Sequence, residues 1–157
     1  MNKIISITIT YIIIIFVTSS CSYQKMNSAD QKKFHIKEFE VSGNSRESFI
    51  IQKKIQRFSN EDSANKIKIS IDLEKNKSIK EKNIQNKITK YGISLSATVK
   101  ILELNSAKEI NRTFVANETY DVEDSYSSTV NNSKKADNSL IDKIVDEILD
   151  QLRIYYN

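Results

Sequence analysis

Few side chains in this 157-residue chain have the types and spacing that chemistry requires. A hydrolytic triad needs a histidine base positioned beside its nucleophile. His35 is the sole histidine, and none of the many hydroxyls stands in a recognisable motif with it; on a short strand it reads as a half-exposed surface residue. A zinc site needs several cysteine and histidine ligands, and Cys21 is the one cysteine. A phosphate-cradling loop needs clustered glycines, but only Gly43 and Gly92 are present. Asp121, Glu123 and Asp124 lie close together, yet loop carboxylates are ordinarily solvated. N-x-S/T matches such as Asn117-Glu118-Thr119 arise by chance in a chain this rich in asparagine. The residues predict no catalytic set, no metal and no cofactor.

Two constellations suited to binding remain. Lys75, Lys77, Lys80, Lys82, Lys87 and Lys90 are opposed only by Glu74 and Glu81. Clustered ammonium groups neutralise phosphates and acidic sugars as point charges; the plain alternative is a solvated surface in a lysine-rich chain. The second constellation is a row of small hydroxyls, Ser94, Ser96 and Thr98, joined by Ser70, Thr113 and Thr119. Net charge does not enlarge the list. It is +4, and would be +3 without Lys3, too mild to indicate nucleic acid.

The first residues carry an address. Lys3 precedes an almost wholly apolar stretch from Ile4 to Val17, followed by Thr18-Ser19-Ser20-Cys21. A charged start, an apolar core and small residues before a cleavage point form the secretory pattern. A membrane span needs about 20 apolar residues, and this stretch is shorter. Ser19 and Ser20 before the lone cysteine resemble the lipobox of bacterial lipoproteins, with Thr18 where an aliphatic residue is usual. That resemblance implies that residues 1–20 are removed and that Cys21 carries acyl chains. At about 0.8 kcal/mol per buried CH₂, two or three such chains anchor permanently. Ser22 supplies no acidic sorting signal, which points onward to the inner leaflet of the outer membrane.

The remaining 137 residues suffice for one domain. Residues 21–33 read as a polar tether and 34–157 as the domain. Phe34, Ile36, Phe39 and Val41 predict a strand with a phase slip, hence a bulge, near Glu38. After the break at Ser42-Gly43-Asn44, Asn44 and Glu47 form a candidate capping box. They open a helix over about 45–58 with Ile51, Ile55 and Phe58 on one stripe. Strict alternation follows over Ile67 to Leu73 and over Tyr91 to Ile101. A less regular strand spans Ile110 to Val122, with Arg112 and Glu118 breaking its apolar parity. Period-two alternation predicts a sheet covered on one face only. Leu140 to Tyr156 places its apolar residues within one arc, Ile154 excepted. A start as early as Tyr126 stays open, against the poor helix propensity of Ser127 to Ser133. The expected fold is α/β, a two-layer sandwich in the order β-α-β-β-β-α, with about four strands and two helices on one face.

As an ordered set, these features resemble the LPS-assembly lipoproteins (LptE-like), specifically their α-proteobacterial branch. Cys21-Ser22-Tyr23 keeps the family's cysteine and the aromatic two residues on. The strand and its Gly43-Asn44 break, the hairpin from Lys80 to Tyr91, the stretch from Arg112-Thr113-Phe114 to Thr119-Tyr120, and the closing helix over Asp142 to Leu152 are similar to that branch. The resemblance implies a non-enzymatic plug for the lipopolysaccharide (LPS) translocon, an outer-membrane β-barrel (LptD-like), with LPS itself a candidate ligand. Ser94, Ser96 and Thr98 would then face the polar lumen of the barrel, and the hairpin lysines the substrate. A different periplasmic lipoprotein, such as an adaptor activating a cell-wall synthase, is the competing expectation.

Overall fold

The computed structural model describes residues 33–43 and 45–156. Expectations for the leader, Cys21, the tether and Asn44 lie outside the described residues. Strand β1 (His35–Gly43) is followed by helix α1 (Ser45–Gln56), strands β2 (Lys66–Lys82), β3 (Ile88–Glu103) and β4 (Glu109–Asp121), and helix α2 (Tyr126–Tyr156). The sheet order is β1-β2-β3-β4. β1 lies parallel to β2, because α1 crosses between them, while β2–β3 and β3–β4 are antiparallel hairpins. Both helices cover one face, as the alternation predicts.

The bulge near Glu38 is present: the β1–β2 register shifts between Ile36 and Glu38. That extra residue lets Ile36, Phe39 and Val41 all pack against the core despite their uneven spacing. The Ile36 N–H at this irregularity donates to Ser59 Oγ at 2.9 Å, so the bulge leaves no orphaned donor there. The core is the sequence of alternating positions read earlier: Ile67, Ile69, Ile71 and Leu73 from β2, Ile93 to Ile101 from β3, Ile51 and Ile55 from α1, and the arc of α2. Ile154, the stray, is 73% exposed.

The last helix begins at Tyr126, almost four turns before the apolar arc that opens at Leu140. Propensity loses there to tertiary anchoring. Ser125 accepts the Thr129 N–H at its carbonyl (3.1 Å), and Thr129 Oγ1 accepts the Glu123 N–H (2.9 Å). Further along, Asn132 donates to the Asp121 carbonyl and Ser139 to Glu118 (2.7 Å). These side chains fasten a serine- and asparagine-rich stretch that would not hold a helix alone. Among the described residues, no helix is long and apolar enough to cross a membrane.

Candidate functional site

Strand β2 does not stop where its apolar alternation ends. It continues from Leu73 through Lys75 to Lys82, paired to β3 the whole way. Past the end of β1 at Gly43 the sheet therefore narrows to a ribbon of β2, β3 and β4, and beyond Lys90 and Asp121 only β2 and β3 run on to a tip closed by a tight turn. Asn83 builds that turn: its side-chain oxygen accepts the N–H groups of Gln85 (3.0 Å) and Lys87 (2.9 Å). Asn86 adopts φ 62°, a left-handed conformation that asparagine tolerates well. Ile84 at the tip is fully exposed, and register shifts twist the ribbon between Ile79 and Lys82.

The ribbon does not hold its six lysines in one patch. Lys75 and Lys77 take the helix-facing positions that Ile67 to Leu73 occupy earlier in β2. Lys75 is enclosed between the two helices, its Nζ 2.9 Å from Glu47 Oε1 and 2.6 Å from Asp137 Oδ1. The first contact is an aligned hydrogen bond; the second is an ion pair without hydrogen-bond alignment. Burial works to lower the Lys75 pKa, but the close contacts and charges of Asp137 and Glu47 outweigh it, and the pKa is raised. Lys77 lies over the Tyr91 ring at 3.7 Å and near Tyr120 at 5.3 Å, a cation–π arrangement on two neighbouring, mutually tilted tyrosines. Lys90 pairs with Glu81 (3.0 Å) and Asp121 (3.7 Å). Lys80 turns to the opposite face, where the missing side chain of Gly92 leaves it room to lie across β3. Lys80, Lys82 and Lys87 are exposed and form no ion pair among the described residues. The cationic surface with charge to spare is thus the ribbon tip, beside the apolar Ile84.

The uncovered face of the sheet is ordered row by row. Ser94, Ser96 and Thr98 form its spine on β3, alternating with buried Leu95, Ala97 and Val99. Across the strands run Asn76–Ser94–Asn117, Glu74–Ser96–Val115 and Asp72–Thr98–Thr113. The hydroxyls of Thr98 and Thr113 stand 3.3 Å apart. Near the ribbon root the face sinks into a concavity of about 420 Å³ lined by Asn76, Ser78, Lys80, Ser94, Asn117 and Thr119. A second, of about 380 Å³, lies beside Ser42, Ser70, Thr98 and Lys100 at the other end. Some charges on this face are paired, whereas Asp72 and Glu74 accept hydrogen bonds from the neutral Ser42 (2.7 Å) and Asn76 (3.1 Å). Lys68 pairs with Glu40 (2.7 Å) and Glu38 (3.1 Å), and Lys100 with Glu109 (2.8 Å). The hydrogen bond from Lys68, aided by the Ser70 hydroxyl, holds the Glu40 carboxyl below its ordinary pKa. What results is a broad, small-featured polar surface around the hydroxyl spine of β3.

The remaining singled-out residues do not converge on a reactive centre. His35 is half-buried, with no hydrogen-bond partner at Nδ1. Asp121 and Glu123 act at the entrance to α2 through their backbones and the Asn132 amide. No group of histidine, cysteine, aspartate and glutamate able to hold a metal occurs among the described residues. Asp137, buried against Lys75, escaped the sequence reading. Its signal was the parity of Lys75, which continues the apolar row of β2 and so demands an acidic partner from the covering helices. Glu47 meets that demand together with Asp137.

No protein-family model matches the chain, and no curated protein is similar to it in sequence. Solved structures are similar in fold. The crystal structure of rare lipoprotein B from Shewanella oneidensis superposes with a TM-score of 0.59 at 9% identity, over 75% of this chain and 92% of that one. The solution structure of an uncharacterized lipoprotein B from Nitrosomonas europaea gives 0.54 at 13% identity, over 86% and 92%. At such identities the likeness is one of architecture, and this chain has the fold of those two bacterial lipoproteins.

Proposed function

We propose that this protein is a lipid-anchored outer-membrane lipoprotein that plugs, and supports assembly of, the β-barrel of the LPS translocon. It acts by stoichiometric binding and not by catalysis. The observation that carries the reading is the open sheet face, whose serine–threonine spine presents hydroxyls and little bulk. Such a surface docks against a polar barrel lumen at low desolvation cost. The ordered likeness to the LPS-assembly lipoproteins and the fold shared with two bacterial lipoproteins support it. The ribbon tip, with Lys80, Lys82 and Lys87 around Ile84, is the substrate-facing site: ammonium groups for phosphates and acidic sugars, an aliphatic side chain for acyl chains.

These two surfaces should separate in mutants. Replacing Lys82 and Lys87 with Glu should weaken LPS binding in a salt-sensitive way, while the barrel still co-purifies. Arginine at Ser94, Ser96 and Thr98 should do the reverse, because a docked face tolerates neither added volume nor a buried charge. Loss of both properties in both variants would show one undivided surface, against the assignment. The anchor has its own test. Metabolic labelling with a radioactive fatty acid should mark the wild type and not Cys21→Ser; label retained in the variant would remove the lipoprotein reading.

A further inference from the structure

We infer that the free edge of β4 pairs antiparallel with the β4 edge of a second copy of this chain, about a two-fold axis at Val115. The inference is independent of the barrel reading, which uses the open face and not the edge. β4 closes the sheet order on one side, with β3 as its only partner strand among the described residues, and it keeps one uninterrupted register from Glu109 to Asp121. The Glu103 N–H donates to the Lys108 carbonyl, and the Val122 N–H to the Thr89 carbonyl. With that constant register, even-numbered β4 residues turn their backbone groups toward β3. Odd-numbered residues from Glu109 to Asp121 turn theirs outward. An edge this long, with neither proline nor bulge, is a template for strand addition.

The side chains along the edge say what fits it. Rotating the strand onto itself about Val115 sets Val115 opposite Val115, Thr113 opposite Asn117, Asn111 opposite Thr119, and Arg112 opposite Glu118, twice over. Val115 is 54% exposed on a face otherwise polar at this point, and self-pairing would cover it. Arg112 is exposed and has no ion pair among the described residues, and the rotation brings it a carboxylate. Glu118 already accepts from Ser139 and Lys143, so Arg112 of the second copy would complete a cross-strand cluster. Glu109 and Asp121 meet at the rim, but each is matched within its own chain, by Lys100 and Lys90. The Asp121 carbonyl already accepts from Asn132, which ends the pairing there. Because the axis stands normal to the sheet, the two open faces would join into one surface and both helix layers would share the other side.

The test uses the full-length chain in detergent micelles. Val115→Cys should give a disulfide-linked dimer under mild oxidation, since residues facing across a two-fold axis at such a pair lie about 5.5 Å apart. Thr113→Cys should not, because the same register holds its two copies roughly 13 Å apart. Val115→Lys, a change at an exposed position, should keep the circular dichroism of the wild type while raising the concentration needed for pairing about tenfold, read by sedimentation. A monomer at every concentration would overturn the inference, as would cross-linking at position 113 in preference to 115. So would dimers indifferent to Val115→Lys.

Discussion

Ile148→Asp is expected to abolish folding, and Ile154→Asp, six residues on in the same helix, to leave it intact. Ile148 is fully buried among the residues of the arc that α2 lays on the sheet, beside Ile144 and Leu152. An aspartate there either buries an unpaired carboxylate, at several kcal/mol, or forces the helix off the sheet. A domain of this size is stable by only about 5–15 kcal/mol, so either route consumes much of the margin. Ile154 is 73% exposed, and surface changes of that kind stay within about 0.5 kcal/mol. Leu152→Ala, removing a fully buried side chain, should cost about 2–5 kcal/mol and lower the melting temperature without loss of cooperativity. Thermal melts followed by circular dichroism check all three. Equal melting of Ile148→Asp and Ile154→Asp would mean that α2 does not close the core.

Much of the architecture was legible because each layer leaves its own period in the sequence. The alternations of β2 and β3 and the arc of α2 are the imprint of one-sided burial, and the uneven spacing of Ile36 and Phe39 already implied the bulge. Three features were harder to read. The true length of β2 was hidden because Lys75 and Lys77 replace aliphatic residues on its helix-facing row, and the acids and tyrosines that make this tolerable come from elsewhere in the chain. The start of α2 was hidden because its first turns are held by Ser125, Thr129 and Asn132 and not by an apolar stripe. Arg112 and Glu118 blurred the parity of β4. Glu118 faces the helices as its parity demands and is balanced there by Lys143 (2.6 Å) and Ser139.

The candidate site was legible in part, for the same reason. Alternation places Ser94, Ser96 and Thr98 on one face without any knowledge of neighbours, and they lie there. The lysine cluster was a linear pattern, and pairing divides it. Ion pairs with Glu47, Asp137, Glu81 and Asp121 occupy Lys75 and Lys90. The tyrosine rings take Lys77. Only a structure distinguishes lysines that neutralise their own chain from those with charge left for a ligand, here Lys80, Lys82 and Lys87.

The second large effect concerns the partner, and one measurement addresses it most directly. The full-length protein, tagged at its C-terminus, would be recovered from detergent-solubilised cell envelopes and its companions identified by mass spectrometry. The account predicts an outer-membrane β-barrel in near one-to-one amount, retained when Lys82 and Lys87 are replaced by Glu. Recovery should fall at least tenfold when Ser94, Ser96 and Thr98 are replaced by Arg, since three cations would be forced into the docked face. Recovery of no outer-membrane barrel with the wild-type chain would contradict the translocon account and leave a periplasmic adaptor in its place.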